Sequence, residues 1–386
     1  MASSELVLGI DLGTTYSTAA AVIDGKLYYA LDARGEACIP SVVHFPKSGP
    51  PLVGAEADRH RASDPQNTVF GVKRLIGRAA DSPAARLLDA CSAVRIKGQP
   101  GSEASLVVRA GELAASEVAA ILLRHLKERA EARFGKRVGK TVLTVPVTAT
   151  PEVLEAMQRC GKMAGLEVLR IVTEPAAGAL ARGADPASLK APLLVYDFGG
   201  GTFDATVVRG EGGRLAAIAS AGDDCLGGDD LDLAFARWVA SGIFRAHGLD
   251  ITKDAVAWSR IQRQCELVKR ALSSAPEARY VLRDVLSMGG KPQHLDVPVR
   301  REHLAPLWQE LVDRSLATAK EAVGSAGVGP ADLCGVLLIG GTTYVPQVRA
   351  AVAAAFPRPC VIEDDPQTAV ARGAAVLGVR GALLAA

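Results

Sequence analysis

The sequence predicts an α/β protein of two similar lobes that face each other, each built on a mixed β-sheet. Two observations carry this. A unit of strand, Asp-containing glycine turn, strand, hairpin and strand occurs twice, first from residue 6 to about 27 and again from 193 to 220. Helical segments separate and follow the copies, and elements interleaved in this way favour α/β lobes with mixed sheets. Duplication within one chain also predicts that the two Asp turns meet where the lobes face each other.

In chain order, the apolar run 6–10 leads into Asp11-Leu-Gly13-Thr14-Thr15, and an alternating strand covers 16–23. Asp24-Gly25 marks a two-residue hairpin turn, with a third strand starting near Leu27. The spacing of Leu113, Val118, Ile121, Leu122 and Leu126 predicts a helix over 112–134. Residues 142–145 read as a buried strand, and Thr150-Pro151 supplies an N-cap and first-turn proline for a helix ending near Gly165. The second unit runs through 193–196, Asp197-Phe-Gly199-Gly200-Gly201-Thr202, a strand over 203–209, a glycine-rich turn over 210–213 and a strand over 215–220. Helices are expected over 231–247 and 254–272. A third glycine junction, Gly340-Gly341-Thr342, follows the apolar run 336–339 and precedes a helix over 345–356.

Composition narrows the function classes. The 386 residues contain 44 Lys+Arg and 42 Asp+Glu, a net charge of +2, which gives no electrostatic case for nucleic acid or an anionic membrane. Seven cysteines without a CxxC, and an N-terminus that runs straight into a strand, predict reduced thiols in a cytoplasmic protein. The apolar tail after Thr368 is interrupted by Arg372 and Arg380, too broken for a membrane span. Gly135-Lys-Arg-Val-Gly139-Lys140-Thr141 has three residues between its glycines where a P-loop needs four, and no GxGxxG follows a strand.

The repeated turns are the stronger signal. Each offers backbone N–H groups and hydroxyls to a phosphate, and its glycines let the phosphate approach closely. Asp11 and Asp197 put paired carboxylates beside that anion site, an arrangement that calls for a divalent cation, with magnesium and its waters the natural choice.

The chain resembles the ATPase domain of the seventy-kilodalton heat-shock chaperones (the DnaK-like family) of the actin and sugar-kinase superfamily. The resemblance rests on Gly9 to Tyr16, Val72-Lys73-Arg74-Leu-Ile-Gly77-Arg78, Val145-Pro146, Ala164 to Arg170, Glu174-Pro175-Ala-Ala177, Tyr196 to Asp204, Leu226-Gly-Gly-Asp-Asp230, Cys265-Glu266 with Lys269-Arg270, and Gly340-Gly341-Thr342. It implies a two-lobed actin-like fold of duplicated ribonuclease-H-like domains. Lobe I would span 1–188 with a closing helix from about 366–386, and lobe II 189–365.

The resemblance also implies roles. Thr14 and Thr15 with the Gly13 turn would serve the β-phosphate side, and Gly200, Gly201 and Thr202 the γ-phosphate side; Tyr16 and Gly228 are further implied nucleotide-binding residues. Asp11 and Asp197 would hold Mg2+ largely through water, and potassium is a further family ion. Lys73 is similar to the family's catalytic lysine, and Glu174, Asp197, Thr202 and Asp204 complete the catalytic set. Glu266, Lys269, Arg270 and Ser273 would hold the nucleoside of ATP or ADP. Gly340, Gly341 and Thr342 would pass the base, with Tyr344 stacking on it.

Four positions depart from the family pattern: Tyr344 and Leu154 replace arginines, Gln367 replaces an aspartate and Asp229 a glutamate. No residues follow Ala386 to form the family's peptide-binding domain. The expected function is Mg-dependent ATP binding and slow hydrolysis. A non-hydrolysing nucleotide sensor and a small-molecule kinase are the alternatives. A J-domain cochaperone and a nucleotide-exchange factor are the implied partners.

Overall fold

A computed structural model describes residues 6–384 apart from 100, 185–186, 289–290 and 363–364, so the outer ends of the expected lobe limits lie outside the described residues. The first repeat unit forms β1 (Leu6–Asp11), β2 (Tyr16–Ile23) and β3 (Lys26–Tyr29). Asp24 and Gly25 join the last two with φ of 50° and 75°, the paired positive angles of a turn whose twist matches its strands. Beyond a set of short strands come α1 (Ala115–Phe134), β4 (Val138–Val145), α2 (Pro151–Met163), β5 (Glu167–Thr173) and α3 (Glu174–Ala181). The sheet runs β5-β4-β1-β2-β3, antiparallel through the hairpins and parallel from β1 to β4 and β5.

The second unit repeats the plan. It forms β6 (Leu193–Phe198), β7 (Phe203–Glu211) and β8 (Arg214–Asp223), the last two joined by Gly212 and Gly213, both at positive φ. There follow α4 (Gly228–His247), α5 (Ala255–Ser274), the hairpin β9 (Glu277–Met288) and β10 (Lys291–Arg300), and α6 (Arg301–Ser325). β11 (Gly335–Ile339), α7 (Pro346–Ala355), β12 (Cys360–Ile362) and α8 (Ala369–Leu384) complete the chain. This sheet runs β8-β7-β6-β11-β12, with β6, β11 and β12 parallel. Each sheet therefore centres on the first strand of its unit, with antiparallel neighbours on one side and parallel ones on the other. The repeat seen in the sequence is a repeat of topology.

Each sheet has its own core. Leu8, Ile10, Leu122, Leu126, Leu143 and Met157 are buried in the first. Tyr196, Phe198, Phe203, Phe235, Trp308 and Leu338 are buried in the second, where the Tyr196 and Phe203 rings meet edge to face at 4.6 Å between centroids. Two alanine-rich helices sit between the cores. Ala371 and Ala375 of α8 pack on Ala20 of β2, while Ala369 and Val370 pack with Ala177 of α3 against Val195 and Ile339 of the other sheet. A Cβ at Gly9 would collide with the backbone of Ala375, and one at Gly373 with the Ala177 carbonyl. Small residues thus bring α3 and α8 into direct backbone contact with their neighbours, and both helices join the two lobes.

Two regions differ from the sequence expectations. Residues 112–114 belong to a strand, Gly111–Ala114, paired with Ser105–Val108. The helix expected from 112 begins at Ala115, where Glu117 Oε2 accepts the Ala114 N–H at 2.7 Å and caps its start. The hairpin β9–β10 and the 25-residue α6 were not foreseen. Tyr280, Leu282 and Val299 are buried in the hairpin, and the exposed Val281 and Val297 beside them are apolar and blur its alternation; α6 buries Leu304, Trp308, Val312, Ser315, Ala319 and Ala322 at helical spacing although it carries Pro306 inside it. Among the described residues no helix is long and apolar enough to cross a membrane. Cys38, Cys160, Cys225, Cys265, Cys334 and Cys360 are free thiols; the Cys91 side chain lies outside the described residues.

Candidate functional site

The two Asp turns meet across a cleft with a cavity volume of about 440 Å³, lined from both lobes. Gly13, Thr14 and Thr15 approach Gly200 and Gly201 so closely that an ideal Cβ on Gly200 would sit 2.7 Å from Thr15 Cβ, and one on Gly201 3.0 Å from Thr14 Cγ2. Ser41 supports the first turn, donating to the Gly13 carbonyl at 2.8 Å. The second turn is held from two sides. Gly228 and Asp229 at the start of α4 donate their N–H groups to the carbonyls of Gly199 and Gly200 at 3.0 and 2.7 Å, and the Thr342 hydroxyl donates to Gly199 at 2.7 Å. Gly340, at φ 82°, lies against the end of β6, where a Cβ would stand 2.6 Å from Asp197 Oδ1. Backbone angle and lack of space both require glycine there.

Between the turns lies a group of acids around one lysine, Glu174 buried and the others partly buried. Lys73 Nζ donates to Glu174 Oε1 at 2.7 Å, the carboxylate being carried on the first residue of α3. Burial alone would pull the Lys73 ammonium down, but Glu174 and then Asp11 outweigh it and hold it above the ordinary lysine range. Burial raises Asp11 to about 6, with Lys73 opposing and Glu174 adding. Burial together with Glu174, Asp204 and Asp11 pushes Asp197 well above the usual carboxylate range. Asp204 rises to about 7, chiefly through burial and then through Glu174. Acids crowded this way favour either protons or a cation.

Hard oxygen donors beside an anion-binding turn fit magnesium. Among the described residues no three His, Cys, Asp or Glu side chains converge as a direct ligand set. A cation here would therefore be held by Asp11 and Asp197 together with water and phosphate oxygens.

The other end of the cleft is organised by α5. Lys269 Nζ donates to Asp232 Oδ2 at 2.6 Å and to the Gly228 carbonyl at 2.7 Å, tying α5 to α4. Asp232 Oδ1 is buried with no hydrogen-bond partner among the described residues, and Asp232 lines the cleft. Glu266 accepts from the Tyr16 hydroxyl at 2.5 Å and from Arg263 at 2.5 Å. Burial would raise its carboxyl, but Arg263 and the Tyr16 hydrogen bond outweigh it and keep Glu266 below its usual range. Tyr16 thus stands at this end of the cleft, against α5. Arg270 Nη1 donates to the Tyr16 hydroxyl at 3.0 Å, and its guanidinium lies 5.5 Å from the Tyr16 ring centroid.

The remaining expected residues also line the cleft, including Ser273, Gly341 and Tyr344, with Gln367 beside them, whereas Asp204 is not among the lining residues. The Tyr344 hydroxyl donates to Asp365 Oδ1 at 2.9 Å, and Arg349 lies 5.5 Å from its ring centroid. Gly341 makes room for the Gln367 amide, which a Cβ there would meet at 2.5 Å. Leu154 stands apart from this group, half exposed on α2 and absent from the cleft lining.

Three participants were not foreseen. Asp232 is the partner of Lys269. Arg74 donates to the Gly201 carbonyl behind the second turn. Arg263 pairs with Asp58 of lobe I at 3.4 Å, closing the cleft beside Tyr16–Glu266. The run Leu226-Gly-Gly-Asp-Asp-Leu-Asp232 was a usable signal for the first, since Asp232 lies four residues after Gly228.

A family model described as Hsp70 protein matches residues 7–383, nearly the whole chain. The chain belongs to the Hsp70 family. Its fold is accordingly the two-lobed actin-like ATPase fold, and the duplicated sheets with their crossing helices are the form it takes here. Hsp70 membership makes the module a nucleotide-binding chaperone ATPase domain by family. The cleft joins two glycine turns, buried acids and a lysine in one place, as the motifs of this Hsp70 chain imply.

Proposed function

We propose that this chain binds Mg-ATP in the cleft between its lobes and hydrolyses it slowly to ADP and phosphate. The observation that carries the reading is the partly buried Lys73–Glu174 pair at 2.7 Å, set where the Asp11 and Asp197 turns converge. Gly13, Thr14 and Thr15 hold the β-phosphate side, and Gly200, Gly201 and Thr202 the γ-phosphate side, through backbone N–H groups and hydroxyls. Magnesium, when bound by Asp11 and Asp197 through water, neutralises charge on the phosphates. Lys73 is a point charge for the transferring phosphoryl group, and Glu174 orients both Lys73 and the attacking water. Asp204 adds an acid at the same end. Catalysis of this kind is mostly positioning and charge stabilisation.

Glu266, Lys269 and Asp232 are placed to receive the ribose, with the unpartnered Asp232 oxygen as an acceptor for a hydroxyl. Tyr344 offers a ring face to the base, with Arg270 and Ser273 on the other lobe-II element. 2′-Deoxy-ATP is expected to bind roughly ten- to hundredfold more weakly than ATP, the cost of leaving charged hydrogen-bonding groups unpaired. Isothermal titration with both nucleotides checks this, and equal affinities would remove the ribose assignment.

Release of product requires the lobes to part, so Arg263–Asp58 and Tyr16–Glu266 act as latches. The Arg263–Asp58 pair is partly exposed and so worth well under a buried pair. Asp58→Ala is expected to speed ADP dissociation roughly two- to fivefold, measured with a fluorescent ADP analogue in stopped flow. A J-domain cochaperone and a nucleotide-exchange factor are the partners that fit this reading, with the exchange factor acting on the same opening. Leu154 in place of an arginine motivates weak coupling to the first. A cytoplasmic location suits the free thiols.

A further inference from the structure

The second glycine turn has each of its carbonyls tied to a donor. Gly199 accepts from the Gly228 N–H at 3.0 Å and from the Thr342 hydroxyl at 2.7 Å, Gly200 from the Asp229 N–H at 2.7 Å, and Thr202 from the Gly199 N–H at 3.0 Å. Those donors all belong to lobe II. The Gly201 carbonyl is held differently, by Nη2 of Arg74 from lobe I. Among the described residues it is the one carbonyl of this turn whose donor comes from across the cleft.

Arg74 is fixed from both sides. It sits in the one-turn helix Val72–Leu75, directly after Lys73, and Val72 and Leu75 are buried in the lobe I core. Its guanidinium lies against Gly201, where an ideal Cβ would stand 2.6 Å from Arg74 Nη2 and 3.4 Å from its Cζ. Arg74 Nε is buried with no partner among the described residues, so the guanidinium is desolvated at a cost that the Gly201 bond offsets. Adjacent residues of one helical turn thus reach different lobes: Lys73 pairs with Glu174 in its own lobe, and Arg74 crosses to the other.

A peptide unit is planar and trans, so its C=O and N–H point opposite ways. With Arg74 on the Gly201 oxygen, the Thr202 N–H is turned away from the guanidinium, and Thr202 lines the cleft. A charged donor on the oxygen also polarises the unit and strengthens its N–H as a donor to an anion. We propose that Arg74 is a positioning residue that holds the Gly201–Thr202 peptide with its N–H toward the γ-phosphate, and that it does so only while the lobes are closed. The proposal deepens the assignment of the cleft to Mg-ATP and rests on it. Parting the lobes withdraws the Arg74 donor together with Lys73, so the γ-phosphate turn is complete only in the closed molecule.

The test compares Arg74→Met, which keeps the aliphatic stem and removes the donor, with Arg74→Lys, which keeps a cationic donor. Arg74 reaches Gly201 through a single N–H, so a lysine can replace it. Single-turnover phosphate formation from Mg-ATP is expected to fall roughly ten- to hundredfold in Arg74→Met, the scale of losing one donor aligned on the transferring group. Isothermal titration of the same variant is expected to show ATP weakened about tenfold and ADP, which has no γ-phosphate, held within about twofold. Arg74→Lys is expected to recover most of both losses. An unchanged rate in Arg74→Met overturns the proposal, and so does equal weakening of ATP and ADP, which is what a merely structural role would give. Failure of the native chain to bind either nucleotide overturns the nucleotide assignment itself, so the two failures are distinguishable.

Discussion

Lys73→Ala is expected to lower ATP hydrolysis by about a hundredfold or more while leaving Mg-ATP affinity within a few-fold of the native chain. The magnitude follows from removing one preorganised charge aimed at the transferring group in a buried site. The side chain is partly buried and pairs with Glu174 at 2.7 Å, so truncation also leaves Glu174, Asp11, Asp197 and Asp204 without their shared cation. In the proposed reading nucleotide affinity draws on the glycine turns and on α5, neither of which is altered. Single-turnover phosphate release, with ATP binding measured separately by titration, reads both quantities. Unchanged turnover would remove Lys73 from the mechanism.

Gly200→Val is expected to lower ATP affinity about a hundredfold or more, with the fold retained. A Cβ at this position would lie 2.2 Å from Thr15 Oγ1 and 2.7 Å from Thr15 Cβ, so the side chain wedges the lobes apart where the phosphates bind. Losing several hydrogen bonds to charged oxygens at once accounts for the size of the effect. Circular dichroism establishes that the variant folds, and titration with ATP reads the affinity. Native-like binding in a folded Gly200→Val protein would show that the phosphates do not lie between these turns.

What was legible in the sequence was what the chain repeats or must keep local. The Asp-glycine turns were visible because a turn, its flanking strands and its hairpin are contiguous, and because Asp24-Gly25 and Gly212-Gly213 encode their own positive angles. The α5 set was visible because Glu266, Lys269, Arg270 and Ser273 fall on neighbouring helical positions. Contacts made across the fold were not visible. Lys269 meets Asp232 from 37 positions away and Arg74 meets Gly201 from 127, and no local pattern records such pairs. Tyr16 illustrates the same limit, because its sequence neighbours line the turn end of the cleft while its side chain reaches Glu266, 250 positions on. The hairpin β9–β10 escaped notice because its exposed positions include Val281 and Val297, whose apolar side chains blur the alternation that Tyr280 and Leu282 follow.

The departures at Tyr344 and Gln367 take a physical form in the structure. Tyr344 is anchored through its hydroxyl to Asp365 and backed by Arg349, so an aromatic face with a cation behind it occupies the position of the family's arginine. Gln367 fills the space that Gly341 leaves.

The central claim is that paired Asp turns around Lys73 turn over Mg-ATP. A single-turnover experiment on the native chain, with protein in excess over γ-labelled ATP, tests it most directly. Labelled phosphate is predicted to form in one slow exponential phase with magnesium and to be suppressed when the metal is chelated. Bound ATP that stays intact for many hours in magnesium would contradict the account and identify the cleft as a nucleotide-binding site without hydrolysis.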